Sequence, residues 1–275
     1  MSDETEFTGY LIEEEDRDFL RSQGPIPFSL RSAFDAPEEI DPRVWHRIEN
    51  QGNQGSCVGH GLSSVVEYCY RIKTGQVTQY SRQGAYILSQ RASGISGDRG
   101  ATISGAVKTS EETGLPPETV WPYPNPVRYD NRIPPGALEA AAENKIRSSA
   151  WLDSYDDILS YISSGVGGVL IGIIWDSYCR NCTGILENYN GSGRGGHAVC
   201  FLGYSKRKAS DGRKYLWLAN SHSTRWGANG WAEVAPKAVD SMCRHRYWSG
   251  AGLSDLSVEE LKPRKFHHTT ENMGF

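Results

Sequence analysis

The stretch Asn50-Gln51-Gly52-Asn53-Gln54-Gly55-Ser56-Cys57 sets a thiol where a glycine-rich turn meets an amphipathic run. From Cys57 onward the apolar positions are Val58, Leu62, Val65, Val66, Cys69 and Ile72, whose gaps of three and four describe one face of a helix. A cysteine in the first turn of that helix faces unpaired N–H groups and the positive end of the helix dipole, and both favour the thiolate. A nucleophilic sulfur needs a base, and the base needs an orienting partner. His197 opens the strand-like run 197–204, and Asn220 closes the run 214–220. An antiparallel hairpin that pairs Tyr204 with Arg213 sets His197 opposite Asn220, where a carboxamide can hold an imidazole in one tautomer. Residue type and spacing alone leave second readings open. Cys57 can be a small buried apolar residue, as Cys69 and Cys200 are read to be, and His197 a structural strand histidine.

The elements that must position these residues divide the chain. The first half reads as helical, over 57–72, 81–92 and 103–113, the last stopped by Gly114 and the prolines behind it. Between them lies a glycine-rich loop at 94–101, and Trp121-Pro122-Tyr123-Pro124 is extended. The second half carries short helices at 137–145 and 156–163 and strands at 166–174, 197–204, 214–220 and 230–234. That is an α+β chain of two lobes, and a cleft between lobes is where a site is expected.

Composition sets the outer limits. With 275 residues, 38% hydrophobic, 23% charged and a mean hydropathy of -0.53, the chain is long enough for a full core. A net charge of -4 excludes a general nucleic-acid footprint. The charge is uneven: residues 1–40 hold eleven acidic side chains and three arginines, which leaves the rest mildly basic. This acidic arm, with a short helix over 13–21, reads as a solvated tail; the alternative is an arm that lies across a groove of the body. No apolar run approaches the ~20 residues of a membrane helix. The polar, acidic start lacks the order of a secretory signal, so a cytoplasmic location is expected, with virion association or non-classical export also compatible. Six cysteines in such a chain do not form a disulfide scaffold.

Three motifs together resemble the papain-like cysteine peptidases, the C1 family. They are Asn50-Gln51-Gly52 with Ser56-Cys57, His197-Ala198-Val199 with Gly203-Tyr204, and Asn220-Ser221 followed by Trp226-Gly227 and Asn229-Gly230-Trp231. The run 98–123 is similar to the substrate-groove glycine, helix and Pro-Tyr stretch of bacterial-type members without a signal peptide. The resemblance spans 41–235. It implies a papain-like two-lobe α+β fold with a helical lobe at about 41–135, an antiparallel β lobe at about 136–262 and the active site in the cleft. The arm 1–40 and a tail 263–275 then flank a peptidase domain at 41–262. It implies a thiol protease acting on peptide or protein substrates, without metal or organic cofactor and without nucleic-acid or membrane partners. Cys57 would be the nucleophile, His197 the base and later acid, and Asn220 the group that orients His197. Gln51 would serve the oxyanion with the Cys57 N–H, and Gly100 would line the groove. Two alternatives stand beside this: a catalytically weak or inactive papain-like domain used for binding or structure, and a thiol acyltransferase or amidase.

The departures from the family pattern are specific. Gln54 stands where secreted members have a disulfide-forming cysteine, and the loop 94–101 supplies no partner. Val58 replaces a tryptophan, and His222 stands where a tryptophan shields the Asn–His pair. The arm 1–40 is too short for the family's inhibitory propeptide. Elsewhere, Cys179 and Cys182 have zinc or redox spacing but no second pair, so a structural loop pair is expected. The glycines of 191–196 read as a mobile loop beside the cleft, and the basic run 262–268 as a solvated tail. Asn181 and Asn190 fit the glycosylation pattern by chance.

Overall fold

In a computed structural model of the chain, which describes residues 9–11, 14–25, 36–193 and 195–256, the helices come first and the sheet follows. Helix α1 covers Glu14–Ser22, and a 3-10 turn at Pro42–Val44 leads into the body. Helix α2 runs Cys57–Thr74, starting at the residue where the apolar spacing begins. Helix α3, Arg82–Ala92, starts one residue past Ser81, whose hydroxyl accepts the Gly84 N–H as an N-cap. Helix α4, Ile103–Lys108, is capped by Thr102 and widens without a break into a π-helical turn at Thr109–Thr113. A short α5 spans Ala137–Ala142, three residues less than expected.

The sheet is built from β1 Ser148–Trp151, β2 Gly168–Ile174, β3 Ile185–Leu186, β4 Gly196–Lys208, β5 Lys214–Ala219, β6 Trp231–Val234 and β7 Ser249–Ser254. Its order is β1-β7-β2-β4-β5-β6-β3, antiparallel except for β3 beside β6. Helix α6, Tyr155–Ser163, precedes β2; α7, Ser177–Arg180, follows it; and α8, Pro236–Arg244, precedes β7. The register of the central hairpin differs from the expected one. Tyr204 pairs with Leu216 rather than Arg213, and Cys200 pairs with Ala219. Irregularities between Phe201 and Gly203 and between Tyr204 and Lys208 absorb the extra residues.

Helix α2 is the spine. Every residue from Cys57 to Cys69 is buried, the polar His60, Ser63, Ser64 and Glu67 included, because one face meets the sheet and another meets α3. Glu67 is satisfied internally: Arg82 holds both its oxygens, Tyr80 N–H donates to one, and His46 Nδ1 lies 3.4 Å from the other. Among the described residues no helix is long and apolar enough to cross a membrane, and no cluster of His, Cys, Asp or Glu could hold a metal ion. The run 262–268 and the tail 263–275 lie outside the described residues.

Candidate active site

The loop before Cys57 is fastened on both sides. On the helical side the Gln54 side chain donates to Gln83 Oε1 at 2.9 Å, and the Gly55 N–H reaches Asp98 Oδ1 at 2.9 Å. Asp98 also accepts the Tyr86 hydroxyl, so hydrogen bonds tie this loop to helix α3 and to the loop 94–101. On the sheet side the Gln51 N–H donates to the Ser221 carbonyl at 2.9 Å. The loop therefore delivers the sulfur to one place at the start of α2. There Cys57 Sγ accepts the Ala198 N–H at 3.4 Å, beside His197 on β4.

His197 and Asn220 meet despite the shifted register. His197 Nε2 lies 2.7 Å from Asn220 Oδ1, which also accepts the Ser221 N–H at 2.8 Å. With Nε2 committed, the other ring nitrogen, Nδ1, makes no hydrogen bond among the described residues. Two rings fix the imidazole plane. Trp175 meets it edge-on with centroids 4.5 Å apart, and His222 stacks on it at 4.5 Å and 27°. Trp175 in turn packs on Trp226, whose indole N–H donates to the Cys179 carbonyl. His222 thus covers one face of the His197 ring.

The Gln51 carboxamide is oriented from both ends: its nitrogen donates to the Gln54 carbonyl at 3.0 Å and its oxygen accepts the Ser221 hydroxyl at 2.6 Å. Tyr123 supports the same loop, donating to the Gln51 carbonyl and sharing a hydrogen bond with Ser56 Oγ. Gly100 has φ +92, and a Cβ there would stand 2.2 Å from the Gly9 carbonyl oxygen, so only glycine lets a backbone come this close.

That neighbouring backbone belongs to the acidic arm. Residues 9–11 lie between the two walls rather than in solvent. The Ala101 N–H donates to the Gly9 carbonyl, the Leu11 N–H donates to the Ala101 carbonyl, and the Tyr10 N–H donates to the Gly196 carbonyl. The reading of 1–40 as a solvated tail is corrected for this segment: its backbone pairs with the residue next to Gly100 and with the residue before His197.

Electrostatics also differ from the sequence expectation. Cys57 and His197 are both fully buried. Burial pushes the Cys57 thiol up to about 12, outweighing the N–H groups of Ala198 and of the first turn that pull it down. Burial, then the charge of His222, hold His197 well below the ordinary imidazole range, against the Asn220 hydrogen bond. In this closed arrangement burial disfavours the charged form of both the thiol and the imidazole. The helix terminus alone does not make the thiolate, because removing water costs the charged form more than the dipole returns.

Some residues of the site carried no sequence signal for the part they take. Ser221 stood in the Asn220-Ser221 motif, yet nothing in its type marks it as the holder of Gln51. Trp175 ends the apolar run of β2 and was legible only as core. Cys179 and Cys182 are both buried free thiols, and the Trp226 indole N–H donates to the Cys179 carbonyl.

Comparison with known proteins follows this geometry. Residues 36–247 match the model of the papain family of cysteine proteases. Among curated proteins, cathepsin J of Mus musculus is 25% identical over 205 residues, covering 68% of this chain and 56% of its own length. An uncharacterized peptidase C1-like protein of Acanthamoeba polyphaga mimivirus is 25% identical over 267 residues, covering 90% of this chain and 81% of its own. The chain thus spans little more than half of the cathepsin. Among solved structures, xylellain, a cysteine protease from Xylella fastidiosa, superposes with a TM-score of 0.71 at 19% identity, over 93% of this chain and 99% of that one.

Proposed function

The chain belongs to the papain family of cysteine proteases, and on that footing we propose that it cleaves peptide bonds with Cys57 as nucleophile. Cys57 transfers its proton to His197 Nδ1 and attacks the scissile carbonyl. Asn220 keeps the imidazole in the tautomer and plane that this transfer needs. The Gln51 carboxamide and the Cys57 N–H receive the developing oxyanion. His197 then protonates the leaving amine, and water activated by the same ring releases the acyl group. Gly100 admits the substrate backbone to the groove wall. The observation that carries this reading is the 2.7 Å contact of His197 with Asn220 one residue from the Ala198 N–H that touches Cys57 Sγ. The test is turnover of a mixed peptide library by the purified chain, with mass analysis of the products, with and without an amine acceptor. Cleavage lost in Cys57→Ala upholds it; products joined to the amine favour an acyltransferase.

One observation favours a second reading. Cys57 and His197 are both inaccessible in this arrangement, and burial disfavours the charged form of each. A binding or structural domain that keeps the family's residues without using them would look the same. Failure of the purified chain to cleave any member of the library supports it.

A further inference from the structure

The Asn220 carboxamide has a second end. Its Oδ1 receives the Ser221 N–H, a group that can only donate, so the oxygen is fixed and the nitrogen Nδ2 is the end left over. Asn220 is only 5% exposed, and Nδ2 has no hydrogen-bond partner among the described residues. A buried amide N–H is costly to leave unpaired, so an acceptor is due at that point. Asn220 lines a small cavity of about 10 Å³ between helix α2 and the β4–β5 hairpin, on the threshold for a single water molecule. Two side chains of α2, His60 and Ser64, line it too. His60 Nδ1 lies 3.1 Å from the Ser56 carbonyl oxygen, which can only accept, so the ring proton sits on Nδ1. Burial disfavours a second proton on this ring, which leaves Nε2 an acceptor. Among the described residues nothing donates to it. Ser64 Oγ donates to the His60 carbonyl at 2.9 Å and keeps lone pairs of its own. The other polar side chains of the lining are turned elsewhere: Glu49 to Gln79 and Arg47, His46 to Glu67, Ser221 to Gln51.

The geometry points to a binding site for one buried water in this cavity and, resting on the cysteine-peptidase reading, to His60 as a positioning residue for Asn220. The water accepts the Asn220 Nδ2–H and donates its two protons to His60 Nε2 and Ser64 Oγ, which gives it three partners. Held at Oδ1 by the Ser221 N–H and at Nδ2 by the water, the carboxamide does not turn about its last bond, and His197 Nε2 keeps its acceptor in one place. His60 stands one turn after Cys57 on α2. The same turn of helix then carries the nucleophile and, through the water, steadies the group that orients the base. A phenyl ring at 60 keeps the edge-on contact with Tyr123, at 4.8 Å, but offers no acceptor; a glutamine offers an acceptor without the ring.

The test uses the whole chain. A crystal structure is expected to show one density peak in the cavity, roughly 2.7–3.2 Å from both Asn220 Nδ2 and His60 Nε2. No peak, or an Nδ2 bonded to a protein atom, overturns the water site, and this measurement needs no variant. For the positioning role, kcat, KM and melting temperature are measured for His60→Phe and His60→Gln, and solvent exchange of the His197 Nε2 proton is followed by NMR. His60→Phe is expected to lower kcat about tenfold with KM within about twofold, and to speed that exchange. His60→Gln is expected to bring kcat back to within about threefold of native and to slow the exchange again. Both variants lose the bond to Ser56 and should melt at similarly lowered temperatures. Should His60→Phe not fold, Ser64→Ala, which removes one acceptor of the water, is expected to speed the exchange in its place. Equal kcat and equal exchange in His60→Phe and His60→Gln, or native exchange in Ser64→Ala, overturn the positioning role. A native chain that cleaves nothing, with the density peak and the exchange changes as expected, leaves this proposal standing and sinks the peptidase reading instead.

Discussion

After burial, one neighbouring ring bears most on how His197 titrates. His222 stacks on it face to face and adds a charge that pushes the His197 titration down, so it shields the Asn220 contact and at the same time disfavours the imidazolium. A tryptophan at 222 would shield without the charge. His222→Trp is therefore expected to preserve or raise kcat and to move the His197 imidazole titration upward, read by NMR in a Cys57→Ala background. Loss of turnover in the folded variant would mean that His222 takes part in the chemistry. Asn220→Ala removes the 2.7 Å contact and frees the ring to rotate. It should lower kcat/KM by about 10²-fold, the scale of a displaced catalytic group, with little change in thermal stability.

Elements hold these residues through a few buried caps and ties. Ser81 is one: its hydroxyl caps α3 at the Gly84 N–H and donates to the Trp121 carbonyl, joining α3 to the extended stretch behind it. Ser81→Ala should destabilise the chain by about 1–2 kcal/mol in urea unfolding, with no change in the Cys57 labelling rate at native conditions. At this scale the sequence was legible where periodicity and composition are strong. Helix α2 announced itself through its three-and-four spacing, and β2 and β4 through their apolar runs. Strand β7 did not, because Ser249, Gly250, Ala251, Gly252, Leu253 and Ser254 are small residues chosen to fit under Trp248 and Tyr161 rather than for strand propensity. The hairpin register was misread for a related reason. The irregularities that lengthen β4 against β5 have no residue signature, yet they set which residues face each other. The catalytic candidates were readable from motif order. Tyr10 was not, since a lone aromatic in a polar arm says nothing about what it will cover.

Across the whole molecule, burial of neutral histidines couples the fold to acidity. His46 and His60 are each held down at about 3 and His197 well below its ordinary range, all chiefly by burial. Below pH ~6.5 the unfolded chain takes up protons on these three that the native chain does not, so native stability falls as pH falls. Glu67, pushed up to about 7 by burial, acts in the opposite sense between its ordinary range and 7, because the native chain then holds a proton that the unfolded chain lacks. Glu111 and Glu118, also raised by burial, act with Glu67, but by smaller shifts than those of the three buried rings. Between pH 6.5 and 4.5 stability should therefore fall as pH falls, read as urea midpoints across that range. A flat profile would contradict the burial of these rings. Salt is a separate matter. Among the described residues, backbone hydrogen bonds and the buried Tyr10 phenol hold the groove segment, so raising ionic strength should not accelerate Cys57 labelling.

A groove segment that belongs to the same chain has a kinetic consequence. Its local concentration is set by tether length and does not change on dilution, unlike that of a separate inhibitor. Any slowing of Cys57 labelling by this segment should then be the same at nanomolar and micromolar protein. The inactivation rate with a large groove-filling thiol reagent should also stop rising with reagent concentration, levelling off at the rate at which Tyr10 leaves its place above Gly172.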